Sequence, residues 1–447
     1  MKKIQITLIA LIIFALVACE PNISNPQGTK KLGTLSTKDN ASLVYVAIGT
    51  SVSAGCQSYA VFGEASKYCF PNILATQMGV PFVQPQYGDN GIDGGLRYML
   101  KGFTSAGLPK IYIQQESGSI LNSSYAKPYN NLAVWGAVAY DLIDTSDFAL
   151  RGQARQNPYY VPVLRSKTYG SSMVAQAIAQ QPDVITFEMG ANDVLGYAKS
   201  GGTISTAKDA NGNYIPTPVA AMQQIFGGAL QALTTALPNT KIILFTVPNV
   251  LGVPFFRTVP WNALLINQGQ ADTLTMAYSQ LGFKFHAGAN GFVAQSPLSP
   301  YKMRQLDSTD YLLLTVPTDS LAAGWGSKKP IPNEYVLDKL EAAIVSKAVS
   351  DYNTMIRGLK AMSTNIYIFD LDQVLTNLIT SNTAVPGSTP MNSKFISGEA
   401  FSMDGFHPTS RGQGVIANEL IKFLNTTFGS DIPQVAISTL PANYINP

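Results

Sequence analysis

Two stretches carry the residue types for nucleophilic chemistry. In YVAIGTSVSAG (45–55), Ser51 lies just past an apolar run that stops at Gly49; in MDGFHPTSRG (403–412), Asp404 precedes His407 by three residues. A serine hydroxyl is a poor nucleophile until a neighbouring imidazole takes its proton. The imidazole in turn needs a carboxylate to fix its tautomer and stabilise its charge. Asp404 and His407, in a turn entering a helix, can lie on one side and bond. An oxyanion formed on such a serine needs preorganised donors, usually backbone N–H groups and a side-chain amide. The Ser51 amide, Gly136 at the end of NLAVWGA (131–137) and Asn192 in FEMGAND (187–193) are the candidates. Each residue alone has an ordinary explanation: a turn serine, a surface histidine near a helix start, a turn-capping aspartate, a loop asparagine, a glycine for close packing. Asp193 reads as a helix N-cap, and His286 has no motif around it.

The elements that would position these residues follow from hydrophobic pattern. Short β-branched runs alternate with longer helical patterns, which predicts a parallel sheet flanked by helices. Strands are expected at 43–48, 131–134, 184–189, 242–247 and 366–371. Long helices are expected at 333–362, with Leu337, Leu340, Ile344, Ala348, Tyr352, Met355 and Leu359 forming one stripe, and from Ser410 to about Phe423. Ligands of open parallel sheets bind at the carboxyl ends of the strands. Ser51, Gly136 and Asn192 each follow such an end. Insertions are expected near 84–130, 200–216 and 251–332. The first holds YGDNGIDGG, which lacks the Gly-Lys-Ser/Thr ending of a phosphate loop and reads as plain loop. The second holds an Asn-Gly hairpin signal. The third lacks the pattern for a core of its own, so a single domain over 41–430 is expected, followed by a tail over 431–447.

The four blocks, in this order, resemble those of the SGNH/GDSL hydrolase family. GTSVSAG is similar to the nucleophile block, with Ser51 in the serine position; Gly136 matches the glycine of the second block, Asn192 the asparagine of the third, and Asp404 with His407 the final D-x-x-H. The resemblance implies a three-layer α/β/α sandwich with a five-stranded parallel sheet, flavodoxin-like, and ester hydrolysis without cofactor. It implies Ser51, Asp404 and His407 as catalytic residues and Ser51, Gly136 and Asn192 as the oxyanion hole. Stretches 68–77 and 324–338 resemble exported, lipid-anchored members from Bacteroidetes-type bacteria. Thr50 departs from the family, which has Asp or Asn before the serine. If that change loosens the turn, Asp at position 50 is expected to restore rate.

The N-terminus reads as an export signal: Lys2 and Lys3 precede an apolar stretch, Ile4 to Ala18, too short to span a bilayer. Leu16–Cys19 resembles a lipobox, implying removal of residues 1–18, a lipid on Cys19, and a membrane-anchored envelope protein in the outer membrane of a Gram-negative bacterium. Residues 19–40 are polar and read as a flexible tether. In an exported chain Cys56 and Cys69, close in sequence, are candidates for a disulfide. With two histidines in the whole chain, no metal site is expected. The net charge of +3 includes Lys2 and Lys3 and no basic cluster stands out, so no nucleic-acid partner is expected. A composition of 46% hydrophobic and 13% charged residues suits a large buried core. The expected partner is an ester, either a lipid or an acylated polysaccharide, and a monomer is presumed. A non-catalytic surface lipoprotein using the fold as a binding scaffold, or a carbohydrate O-deacetylase, are the alternatives. Phe255, Phe256, Val259, Trp261, Leu264 and Leu265 either line an acyl-chain pocket or pack their insertion.

Overall fold

The computed structural model describes residues 31–36, 38–105, 107–383 and 390–442. Its centre is a parallel sheet in the order β1 (Tyr45–Ile48), β2 (Val184–Phe187), β3 (Lys241–Phe245), β4 (Ile366–Phe369). Tyr45 pairs with Val184, Val184 with Lys241 and Ile366 with Ile242. β1 and β2 are buried at every position, as continuous apolar strands covered on both faces must be. The fifth expected strand, 131–134, shrinks to an edge: Ala47 bridges Asn131, and the pairing is carried by Ala47 N–H to Asn130 O, Leu132 N–H to Ala47 O and Val134 N–H to Gly49 O. Asn131 turns its side chain inward, its Nδ2 donating to Ser53 O and its Oδ1 accepting from Ala133 N–H. The chain bends there, so four regular strands remain rather than five.

Helices cover both faces. α1 (Phe70–Met78) and α6 (Ser410–Phe428) pack together on one side, where Phe70 stacks on Phe245 and Phe423 meets Phe369 edge-on. α2 (Met173–Ala179), α4 (Val219–Ala236) and α5 (Lys339–Leu359) take the other, with Phe226 edge-on to Phe187. α3 (Asn192–Ala198) follows β2 closely. α5 starts later than its periodicity predicts. Pro332 is followed by a 3-10 turn at Asn333–Tyr335 and a short strand, Val336–Leu337; the helix begins at an Asp338 cap whose Oδ1 accepts from Leu340 and Glu341 N–H. Of the expected stripe Leu337, Tyr352, Met355 and Leu359 are buried; in the first turns the buried face falls instead on Ala342, Val345 and Val349, leaving Leu340 exposed and Ile344 and Ala348 half-buried.

Of the peripheral expectations, one holds and three change. The second insertion does form a hairpin, Ala207–Lys208 against Tyr214–Ile215. The third, by contrast, has a small core of its own, in which Val259, Phe292, Ala294, Leu306 and Ile331 are buried together. Its apolar residues are spread over short strands and turns, so no single periodic run reveals them. Within 31–40 the chain is not a tether: Leu32 and Leu35 are buried in the main core, Thr34 Oγ1 donates to Phe428 O, and Asp431 N–H bonds Lys31 O. The C-terminal segment is likewise packed, through Ile432, Val435 and Leu440. Leu35→Ala should therefore cost about 2–5 kcal/mol, read as a lowered denaturant midpoint; an unchanged midpoint would return this segment to a tether.

Candidate functional site

β1 delivers its C-terminal end into one turn of helix, Ser51–Ala54, closed by Gly55 at φ 77°. The turn is tight because Gly49 has no side chain: a Cβ there would lie 2.2 Å from Ser53 Oγ. Beneath it sits Glu188, one residue past β2 and buried. Its Oε2 accepts from Thr50 N–H at 3.0 Å and from Ser53 Oγ at 2.9 Å, while Thr50 Oγ1 donates to the same carboxyl at 3.0 Å. Burial raises the Glu188 carboxyl, and the bonds from Thr50 and Ser53 oppose that. The acid missing at position 50 is thus supplied from the next strand. Sequence reading missed Glu188, although a charged residue at the end of an apolar strand was a visible signal.

Ser51 Oγ lies 2.8 Å from His407 Nε2, and His407 Nδ1 lies 2.7 Å from Asp404 Oδ2. Three residues separate Asp404 from His407 so that Asp404 Oδ1 also accepts the Phe406 and His407 N–H groups at 3.0 and 2.9 Å. Ser402 Oγ donates to Oδ1 and the Tyr59 N–H to Oδ2 at 2.5 Å. Burial alone would raise this carboxyl, but the His407 charge and these hydrogen bonds hold it below the usual range. Tyr59 reaches it, and Ser58 N–H bonds Ser402 Oγ, with φ of 73° and 53°, a left-handed conformation that costs a non-glycine residue energy. Phe406 packs on the His407 ring at 4.5 Å. An imidazole so fixed can take a proton from the serine and return it to a leaving group.

Ser51, Gly136, Asn192 and His407 open on one pocket of about 250 Å³, walled by Tyr59, Trp135 and Phe406. Gly136 is left-handed at φ 71°, in a turn held by Asn157 Nδ2 donating to Trp135 O at 2.6 Å. The Ser51 amide opens a helical turn and so has no acceptor within it. Asn192 Nδ2 donates one hydrogen to Ala137 O at 2.9 Å, which aims the amide and leaves it a second hydrogen. Asp193 is not the N-cap, a place taken by Ala191; its carboxyl reaches across to accept from Ala139 N–H and Thr217 Oγ1. Desolvation pushes it up to about 7.

Other expectations fall away. Cys56 and Cys69 are separate buried thiols, not a disulfide. Cys56 Sγ lies 3.4 Å from His407 Nδ1, whereas Cys69 Sγ lies 3.2 Å from Gln84 Oε1, so the two sulfurs serve different neighbours. Phe255 and Phe256 belong to the main core and Leu265 is exposed; none of the six apolar insertion residues lines the pocket. Cys19 lies outside the described residues. Tyr59 and Lys199, both in the pocket wall, carried no sequence signal.

The sequence profile of the GDSL-like lipase/acylhydrolase family matches residues 45–420. The chain belongs to this family. Its members are serine hydrolases acting on esters, and the α/β architecture with a parallel sheet is consistent with the family fold. Among solved structures, the chain is similar to a candidate GDSL-like lipase from Parabacteroides merdae ATCC 43184, at 13% identity and a TM-score of 0.33, over 86% of this chain and 98% of that one. No curated protein matches it.

In this GDSL-family hydrolase, Thr50→Asp should not accelerate the serine. It would set a second carboxyl within hydrogen-bond distance of buried Glu188, and two such groups cannot both ionise cheaply. A lower melting temperature and no faster fluorophosphonate labelling are expected; a faster-labelling, equally stable variant would refute the role given to Glu188. Asp193 yields a pH prediction. Its folded pKa, about 7, exceeds the reference 3.8, so the folded state holds this proton where the unfolded chain has lost it. That contribution favours folding at acid pH and is lost as pH rises from about 4 to 7. The stability of the wild type relative to Asp193→Asn, from urea melts, should accordingly fall over that window; a constant or rising difference would remove the assignment.

Proposed function

We propose that this hydrolase cleaves compact carboxylic esters by acyl transfer through Ser51. His407 Nε2 takes the Ser51 proton as Oγ attacks the ester carbonyl. The tetrahedral oxyanion is met by the Ser51 and Gly136 N–H groups and the free hydrogen of Asn192 Nδ2. The intermediate collapses, His407 returns the proton to the departing alcohol, and water, activated by the same imidazole, releases the acid. Asp404 holds the ring and balances its positive charge. The observation that carries this reading is the pair of short contacts, 2.8 Å from Ser51 Oγ to His407 Nε2 and 2.7 Å from His407 Nδ1 to Asp404, at the wall of a pocket. A cavity of about 250 Å³ without the insertion's apolar residues favours short acyl groups, such as those of an acylated carbohydrate, over long lipid chains. By the LVAC sequence at 16–19, the mature protein is further proposed to be anchored through a lipid on Cys19 at the cell envelope, in the outer membrane of a Gram-negative bacterium.

A fluorophosphonate probe should label Ser51, and His407→Ala should abolish labelling, because capture requires an organised base. Asn192→Ala should lower turnover of 4-nitrophenyl acetate by about 10²–10³-fold without changing the melting temperature. A folded wild type that stays unlabelled and inert would favour the binding-scaffold alternative. Mass spectrometry of the native protein should find a lipidated Cys19 as its first residue; an intact Met1 would exclude the anchor.

A further inference from the structure

The pocket contains a cation that the acyl-transfer chemistry does not use. Lys199, the C-cap of α3, lines the same cavity as Ser51 and is only partly exposed. Its Nζ donates to Tyr59 Oη at 2.9 Å and lies 5.0 Å from the Tyr59 ring centre. Among the described residues no carboxylate forms an ion pair with it. An ammonium withdrawn from water is costly unless something compensates it. A lysine placed for packing alone normally extends its head to solvent; this one points at the wall of the pocket. Ser205 and Thr206, from the hairpin insertion, line the cavity with it.

The geometry points to a specificity role, which rests on the hydrolase reading of Ser51: we propose that Lys199, hydrogen-bonded to Tyr59 and sharing the cavity with Ser205 and Thr206, selects esters that carry a carboxylate a few atoms from the scissile bond. An anionic substituent would pair directly with the ammonium, which no carboxylate among the described residues contacts, in a partly desolvated site where the pairing is stronger than in water. The cavity volume fits a compact acid better than an extended chain. Burial lowers the lysine's affinity for its proton, and the nearby Asp404 charge offsets part of this; an anion in the pocket would add to that offset.

Two matched ester pairs test it: 4-nitrophenyl hydrogen succinate against 4-nitrophenyl butyrate, for a carboxylate on the acyl side, and O-acetyl glucuronate against O-acetyl glucose, for one on the alcohol side. The wild type should favour the anionic member of at least one pair by tenfold or more in kcat/KM, chiefly through KM. Lys199→Met should bring that ratio close to one, the loss falling on the anionic ester, and Lys199→Arg should restore part of it. Fluorophosphonate labelling of Ser51, measured on every variant, keeps the two readings apart. A wild type that labels but shows no anionic preference, or hydrolyses none of the four esters, overturns the role of Lys199 and leaves Ser51 standing. Equal losses on both members in Lys199→Met also overturn it, as a structural effect. A wild type that neither labels nor turns over any ester overturns both readings together.

Discussion

The site depends on the burial of one carboxylate. Asp404 is withdrawn from water, and an ionised carboxyl survives there only when donors replace its hydration. Those donors come from two distant parts of the chain: the N–H of Tyr59 on one side, and Ser402, Phe406 and His407 on the other. Satisfying the charge therefore fixes the loop after β1 against the loop before α6, and the His407 ring is carried to Ser51 as a consequence. The left-handed Ser58 and Tyr59 are the local strain accepted to make that union.

A second buried acid does comparable work under the nucleophile. Glu188 ties the end of β2 to the turn after β1 through Thr50 and Ser53. In this family an acid or amide before the serine is the usual arrangement; here a hydroxyl stands in the turn and the acid reaches it from the adjacent strand. The parallel pairing of Ile48 with Phe187 brings the two positions side by side, so the exchange needs no rearrangement of the sheet. Thr50 is accordingly part of an ordered, hydrogen-bonded turn.

The insertions divide their labour. The hairpin insertion contributes Ser205 and Thr206 to the pocket, whereas the large insertion spends its apolar residues on its own small core and on the main one. The cavity is consequently narrow, aromatic and furnished with one cation, a character that belongs to the walls rather than to the chemistry they enclose.

What was legible in the sequence was local. The β-branched runs, the glycine after each of the first three expected strands, and the order of Ser51, Gly136, Asn192, Asp404 and His407 are short-range patterns, and they sufficed for the layered parallel architecture and for the residues that meet at its strand ends. Element boundaries were less legible: the start of α5 turned on a cap at Asp338, and the fifth strand on the inward side chain of Asn131. Residues whose meaning lies in a partner far along the chain were not legible at all. Leu32 and Leu35 look like tether until α6 covers them; Cys56 and Cys69 look like a pair until their sulfurs find different neighbours. Glu188 and Lys199 acquire roles only because the sheet and the pocket wall bring Thr50 and Tyr59 to them. Sequence by itself determined which residue types stand at the ends of the strands, since periodicity and turn chemistry act over a few residues. Tertiary structure alone decided which distant groups complete the compensation of a buried carboxyl, because Tyr59 meets Asp404 and Thr50 meets Glu188 across more than a hundred residues, beyond the reach of any local pattern.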